Sequence, residues 1–376
     1  MGDALDNLET PAVVLDQRQL ETNLVQMQAL ADRFGVALRP HAKTHKSLDI
    51  GRRQVALGAV GLTVATVDEA VVFLNGGFDS ITISRPIVSA SAYRRLFSCP
   101  EASGADLRVA ADSELGVVAA SKSAAEAGKT LGVFVKVDVG LHRCGVDPAS
   151  PAPVELAQHI RECPALEFRG ILSHAGQVYA EESSERACAI AESERQLMLK
   201  VRDTIAGEGI PVDELSVGST PPVLAAATMD GITEIRPGNY AFFDQLPLRV
   251  GIASEAQVAL TVLATIISKN KEYFVTDAGS KTLTSDTGGH GLASATGFGI
   301  AYPLDAYLDP GRCLTVAGLS EEHGQLARTD FDLPVGSMVR IIPNHSCPVA
   351  NLGGQYVVSN GNDLLTWPVD AAGCSR

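Results

Sequence analysis

Nine residues, "RPHAKTHKS" from Arg39 to Ser47, hold two histidines and two lysines immediately after an apolar, strand-like run. Cations clustered past a strand end face something anionic or reactive. A lysine there can form a Schiff base with a carbonyl if its amine is neutral, and neighbouring cations such as Arg39, His41 or Lys46 would lower its pKa. For Lys46 itself a solvated surface cation is the preferred reading. Near the other end of the chain, "PNHSCP" places His345 and Cys347 two residues apart, which on a strand puts both side chains on one face. Imidazole plus thiolate favours zinc among the common metals, and two ligands leave positions open for water or substrate, the catalytic pattern. By spacing alone the favoured reading is a buried cysteine beside a loop histidine. A third segment, "SVGSTPP" (216–222), offers a glycine, two hydroxyls and a helix start, a set that can cradle a phosphate or simply cap a helix.

The elements that must position these residues are readable from periodicity. β-rich apolar runs recur at 36–40, 59–66, 80–84, 106–112, 131–140, 168–176, 214–220 and 233–239. Helical patterns lie between them, such as "QRQLETNLVQMQALADRF" and "ESSERACAIAESERQLMLKVRDTIAGEG". Asp112 and Ser113 read as a helix start, and Gly128 and Gly207 as helix stops. Eight strand–helix units predict a (β/α)8 barrel, with an open doubly wound sheet as the alternative. No GxGxxG follows the first strand. Barrel active sites lie at the strand C-terminal ends. Lys43, "DVGLHRCG" (138–145), "SHAGQVY" (173–179), "GSTPP" (218–222) and "RPGNY" (236–240) all fall there. A phosphate site plus a barrel-mouth lysine points to pyridoxal 5'-phosphate.

After about residue 246 strands follow one another without long helices, and Asn360–Gly361 reads as a hairpin turn, so a mostly antiparallel C-terminal β domain is expected. The Gly- and Ser-rich stretch 284–299 is a long loop, mobile or functional. His290, Glu321, Glu322, His323 and Asp277 are weaker candidates that fit turns, caps or a solvated face equally well.

The chain has 376 residues, 45% hydrophobic and 20% charged, with a net charge of −14. That acidity argues against nucleic-acid binding, which needs a basic face. No apolar run is long enough to span a bilayer, and no secretory signal is visible, so no membrane association is expected. Seven scattered cysteines without a CxxC suit reduced thiols and a cytoplasmic location.

Together, "LRPHAKTHKS", "LSVGSTPP", "EIRPGNYAFFD", "SEEHG" and "PNHSCP", in this order, resemble the D-serine dehydratase and D-threonine aldolase family of fold-type III pyridoxal phosphate enzymes. The resemblance runs from "LETPAVVLD" at residue 8 to "TW" at 366–367. It implies an alanine-racemase-like (β/α)8 TIM barrel over residues 12–245, a β domain formed by 1–11 and 246–376, and a homodimer. It implies Lys43 as the Schiff-base lysine and catalytic residue, Arg143 near the cofactor ring, Tyr179 in the active site, and Gly218, Ser219, Thr220, Gly238 and Tyr240 around the phosphate. His345 and Cys347 match the metal pair, for zinc, manganese or another divalent ion. The implied reaction is dehydration of a small D-3-hydroxy amino acid (D-serine, D-threonine or 3-hydroxy-D-aspartate) to a 2-keto acid and ammonia. The aldolase outcome, cleavage to glycine or its analogue plus an aldehyde, uses the same parts, and a non-catalytic cofactor-binding protein is a further alternative. Cys347 looks more like the dehydratase branch, whereas Gln177 and Val178 depart from the form of close D-serine dehydratases. The resemblance leaves His45, Glu322, His323 and the 284–299 stretch without an assigned role.

Overall fold

Local chemistry sets the first strand-to-helix junction. β1 (Ala12–Asp16) stops at Asp16, whose carboxylate accepts the Gln19 N–H at 3.0 Å and opens α1 (Gln17–Phe34). Leu20, Leu24, Met27 and Ala31, three or four residues apart, form its buried stripe, and Gly35 at φ 67° ends it. The structure, a computed structural model, describes residues 5–288, 297–361 and 363–376.

The chain then alternates as predicted: β2 (Ala37–Leu38), α2 (Leu48–Leu57), β3 (Leu62–Val64), α3 (Val67–Asn75), β4 (Ser80–Ile83), α4 (Ala90–Phe97), β5 (Asp106–Ala111), α5 (Glu114–Glu126), β6 (Leu131–Lys136), α6 (Ala152–Glu162), β7 (Leu166–Leu172), α7 (Ser184–Gly207), β8 (Glu214–Val217), α8 (Thr220–Ala225) and β9 (Glu234–Ile235). These eight strands, β2 to β9, form one parallel sheet in the order β2-β9-β8-β7-β6-β5-β4-β3. Its ends meet just beyond β2, where Thr63 N–H donates to Pro40 O at 2.8 Å and Ala42 N–H to Thr63 O at 2.7 Å. This closes the expected barrel. Ser113 caps α5 as predicted, accepting the Gly116 N–H. Gly207 is not the stop it resembles: it is the last residue of α7, and Gly209, at φ 77°, takes the left-handed turn.

A ladder of buried polar side chains runs inside the barrel. Arg39 Nε pairs with Glu234 Oε2 at 2.6 Å, Ser216 Oγ donates to Glu234 Oε1 at 2.5 Å, and Arg236 Nε donates to Ser216 Oγ at 2.7 Å. Arg39, expected among the cations around Lys43, is drawn instead to Glu234 and to Ser80 at the start of β4. A buried guanidinium without a partner is too costly to leave pointing elsewhere.

The remaining elements are α9 (Gln245–Arg249), β10 (Leu260–Lys269), β11 (Tyr273–Thr276), α10 (Ser280–Leu283), β12 (Gly299–Pro303), β13 (Leu314–Leu319), β14 (Gly324–Ala327), β15 (Met338–Pro343), α11 (Ser346–Gly353), β16 (Gln355–Asn360) and β17 (Asp363–Pro368). They build a second, mostly antiparallel sheet in the order β11-β14-β13-β12-β15-β10-β1-β16-β17, with β11 also paired back onto β10. β1 belongs to this sheet, antiparallel to β10 and parallel to β16. Residues 12–16 therefore pair with the β sheet and not within the 12–245 barrel segment expected for them. Val13, Val14 and Leu15 are all buried between their neighbours, a position only a central strand offers.

Lys46 is buried, not solvated. Its ammonium contacts Glu69 Oε1 at 3.1 Å, Asn351 Oδ1 at 2.7 Å, and the carbonyls of Ala371 and Cys374 at 3.3 and 3.1 Å. Leu48 N–H donates to Asp370 Oδ2 at 2.7 Å. The segment after β2 is thus tied to the C-terminal residues.

His45, in the same segment, is structural. Its Nδ1 accepts the Ser47 N–H at 3.1 Å, so Nε2–H donates to Gln54 Oε1 at 3.2 Å, a neutral tautomer. Burial pulls its pKa down to about 4, against the opposing bonds to Gln54 and Ser47. The unfolded chain takes up this proton near pH 6.5, whereas the folded chain resists it until about 4. The associated stability, up to about 3 kcal/mol, is present above 6.5 and lost as pH falls through this window. The melting temperature is expected to drop on acidification from neutral pH, and to drop less steeply in His45→Asn, as read by calorimetry at stepped pH.

Candidate active site

The turn after β2 delivers Lys43 to a cavity of about 250 Å3 at the mouth of the barrel. Burial lowers the pKa of its amine and Arg143 and Arg236 add to this, while Cys347 opposes them. The amine is therefore biased toward the neutral, nucleophilic form.

Ser219 and Thr220, at the start of α8, form one wall of the cavity, with Gly238 from the segment after β9 beside them. Ser219 makes no side-chain bond to its own helix. A Cβ on Gly238 would come within 2.8 Å of the His41 carbonyl oxygen and 2.9 Å of Thr44 Oγ1, so only glycine lets this segment lie against the Lys43 turn. Gly218 and Tyr240 stand behind the wall. The Gly218 carbonyl accepts His174 Nδ1–H at 3.1 Å. Tyr240 donates its backbone N–H to Thr220 Oγ1 at 3.1 Å, and its hydroxyl, turned away from the cavity, accepts from Gln54 at 3.0 Å. Small residues, two hydroxyls and nearby cations make a donor set that fits a phosphate.

Arg143 also lines this cavity and is shared with a second, adjoining cavity of about 370 Å3. There Lys136 donates to Ser84 O at 2.8 Å, and burial, with Arg236 and Arg143 adding, lowers its pKa to about 8. Arg85 and Arg236 also line it, and among its described lining residues there is no carboxylate. Arg236 is fixed by Ser216 and by the Ser173 carbonyl. Burial, then the neighbouring cations, hold His41 and His174 well below 6.5 and therefore neutral. With Nδ1 of His174 donating to Gly218, its Nε2 is left as an acceptor.

His345 and Cys347 do reach this cavity, but on a helix start and not on a strand. β15 ends at Pro343, His345 caps α11, and Cys347 lies in its first turn. Cys347 Sγ lies 3.3 Å from Thr44 Oγ1, next to Lys43. Burial alone would raise the thiol pKa, but His345 and Lys43 outweigh it and hold it below its ordinary value. Burial likewise disfavours the charged His345, yet Cys347 and Asp286 outweigh it and raise the imidazole well above 6.5. Both shifts run toward a thiolate facing an imidazolium. Asp286 Oδ2 receives His345 Nδ1–H at 2.8 Å, the carboxylate–histidine arrangement that orients a metal-ligating imidazole. Among the described residues no group of three or more His, Cys, Asp or Glu could hold a metal. Tyr179 lines the same cavity beside Ser219 and Cys347; burial, with Cys347 adding, raises its pKa and keeps the phenol protonated.

The weaker candidates lie elsewhere. Glu322 and Glu321 pair with Lys281 at 2.6 and 3.3 Å on the exposed rim of the β sheet, and His323 contacts Ser320. Asp277 accepts from Thr10 Oγ1 and Thr265 N–H, tying strands together. His290 lies outside the described residues. Residues that reading by motif missed are His174, Arg236, Lys136, Asp244 and Asp286. The first three sit at strand ends already flagged by the barrel geometry, and Asp286 within the flagged 284–299 stretch. Asp244 had no local signal.

Comparison with known proteins agrees with this geometry. Residues 15–245 match the alanine racemase N-terminal domain, and residues 259–359 a serine dehydratase domain. The chain is 35% identical to D-threo-3-hydroxyaspartate dehydratase of Delftia sp. (strain HT23), covering 98% of each chain. It is 32% identical to D-threonine aldolase of Arthrobacter sp, covering 100% of this chain and 96% of that one. Among solved structures, a cysteine-to-alanine mutant of D-threo-3-hydroxyaspartate dehydratase in its metal-free form superposes with a TM-score of 0.90 at 32% identity, over 97% of this chain and 98% of that one. The likeness thus runs along the whole length, and the chain belongs to the alanine racemase N-terminal domain family, with a C-terminal serine dehydratase domain.

Proposed function

We propose that this protein is a pyridoxal 5'-phosphate- and divalent-metal-dependent lyase that dehydrates a D-3-hydroxy amino acid to a 2-keto acid and ammonia. The observation that carries the reading is that Lys43 and the His345–Cys347 pair, from opposite ends of the chain, line one cavity. When bound, the cofactor supplies an electron sink for the bonds at Cα, and the metal a Lewis acid toward the hydroxyl on the neighbouring carbon.

The protein's own groups divide the remaining work. Lys43, with its amine biased to the neutral form, would hold the cofactor and is placed to take the Cα proton. Ser219, Thr220 and Gly238 hold the phosphate, with Gly218 and Tyr240 buttressing them. Arg143 faces the anionic edge of cofactor or substrate. Tyr179, kept protonated, donates a hydrogen bond. His345 and Cys347 hold the metal, and Asp286 orients His345. The N and S donors favour zinc, with manganese or another divalent ion as alternatives. The cation-rich second cavity supports an acidic substrate such as 3-hydroxy-D-aspartate, in line with the activity named for the Delftia relative. The aldolase reading is supported by the full-length match to the Arthrobacter enzyme, and it breaks Cα–Cβ where dehydration breaks Cα–H and Cβ–O. A thiolate–imidazole pair on the cavity wall argues against a cofactor-binding protein without activity. The homodimer and the cytoplasmic location belong to the same reading, the latter supported by seven free cysteines. A sedimentation mass of twice the 39.4 kDa chain checks the former.

Three outcomes are expected. A panel of D-serine, D-threonine and D-threo-3-hydroxyaspartate, assayed for keto acid and ammonia against glycine and aldehyde, gives keto acid, fastest with the dicarboxylate. Glycine or its analogue as the main product assigns the aldolase instead. Lys43→Ala abolishes the visible absorbance of lysine-bound cofactor and lowers turnover by at least about a thousandfold. A retained band would move the linkage to another lysine. Chelation by EDTA removes activity and zinc restores it, whereas activity that survives complete chelation excludes the metal role.

A further inference from the structure

Asp244 is a fully buried carboxylate that touches both halves of the cavity. From the barrel side, Asn239 Nδ2 donates to its Oδ2 at 2.6 Å. From the β-sheet side, Ser346 donates to the same oxygen through its N–H at 2.8 Å and its hydroxyl at 3.0 Å. Oδ1 accepts the Leu246 N–H at 3.0 Å, which caps α9. Asn239 follows Gly238 in the phosphate wall, and its Nδ2 also approaches Ser346 Oγ at 3.3 Å. Ser346 stands between His345 and Cys347, and its N–H is one of the donors that the start of α11 leaves without a partner inside the helix.

A carboxylate saturated by four donors from three segments has little freedom, and charge-assisted bonds of this length are the strong ones. Moving α11 outward would strip two donors from a buried anion, and moving the Gly238–Asn239 segment would strip another. We propose that Asp244 is a positioning residue, which sets the His345–Cys347 pair at a fixed spacing from the phosphate wall so that metal and cofactor share one register. This inference rests on the metal reading above and extends it to a residue that touches neither metal nor cofactor.

The test uses the full-length, cofactor-loaded protein, titrated with zinc against a chromophoric chelator and separately with cobalt(II), whose thiolate charge-transfer absorption reports coordination geometry. The unaltered protein is expected to bind zinc, and Cys347→Ala to lose it. Asp244→Asn, nearly isosteric, is expected to weaken zinc binding about 10- to 100-fold and to shift the cobalt spectrum, as for other outer partners of metal ligands. Ser346→Ala, which removes one of the two β-sheet donations, weakens it severalfold at an unchanged melting temperature. If Asp244→Asn does not fold, the Ser346→Ala titration and its cobalt spectrum decide alone. Zinc affinity and cobalt spectrum unchanged in the folded variants, with Cys347→Ala still abolishing binding, overturns the role of Asp244 and leaves the metal pair standing. No zinc binding by the unaltered protein overturns the metal reading, and this inference with it.

Discussion

One buried ammonium ties the site together. Lys46 sits where the barrel mouth meets the β sheet, and its charge is met by Glu69 of α3, by Asn351 of α11 and by two carbonyls of the C-terminal residues. A buried cation stripped of its partners costs several kcal/mol, so this contact is held or the interface opens. Lys46 lies three residues from Lys43, and Asn351 shares its helix with Cys347. The bond that satisfies Lys46 therefore also brings Cys347 to within 3.3 Å of Thr44 Oγ1. Lys43 and Cys347 come together because a buried charge between them must be neutralised.

The electrostatics of the cavity follow from the same economy of burial. Lys43, Arg143, Lys136 and Arg236 crowd one region, so each histidine beside them is forced neutral and the lysines are depressed. Among the described residues, Cys347, Asp286 and Asp244 set negative charge against them. The result is a polarised space, cationic toward the barrel axis and anionic toward α11. Such a field suits an anionic cofactor on one side and a metal ion on the other.

Much of this was legible in the sequence because it is local. Alternation of strand and helix is written in the spacing of apolar residues, and Lys43, Arg143, Ser219, Thr220 and Gly238 lie at strand ends that the barrel rule already marks. What was not legible depends on partners remote in sequence. β1 reads like any half-buried strand, and only its pairing with β10 and β16 assigns it to the second sheet. The spacing of His345 and Cys347 fits a strand face and the first turn of a helix equally, and the extended backbone of His345 followed by a helical Cys347 is a junction that spacing cannot distinguish. Arg39 looked like part of the cationic cluster because its neighbours are, yet its side chain follows Glu234 into the barrel. Asp244 carries no motif at all; its importance arises when Ser346 and Asn239 arrive from different parts of the chain.

The placement of β1 has a consequence for biosynthesis. This strand precedes every strand of the barrel in the chain, yet both of its neighbours follow the barrel, with Val14 set against Thr261 on one side and Val357 on the other. Until then its paired edges have no mates, while the barrel that follows it has every strand it needs. Nascent barrel and waiting strand must coexist, and the strand is captured on both sides only once β10 and β16 have been made.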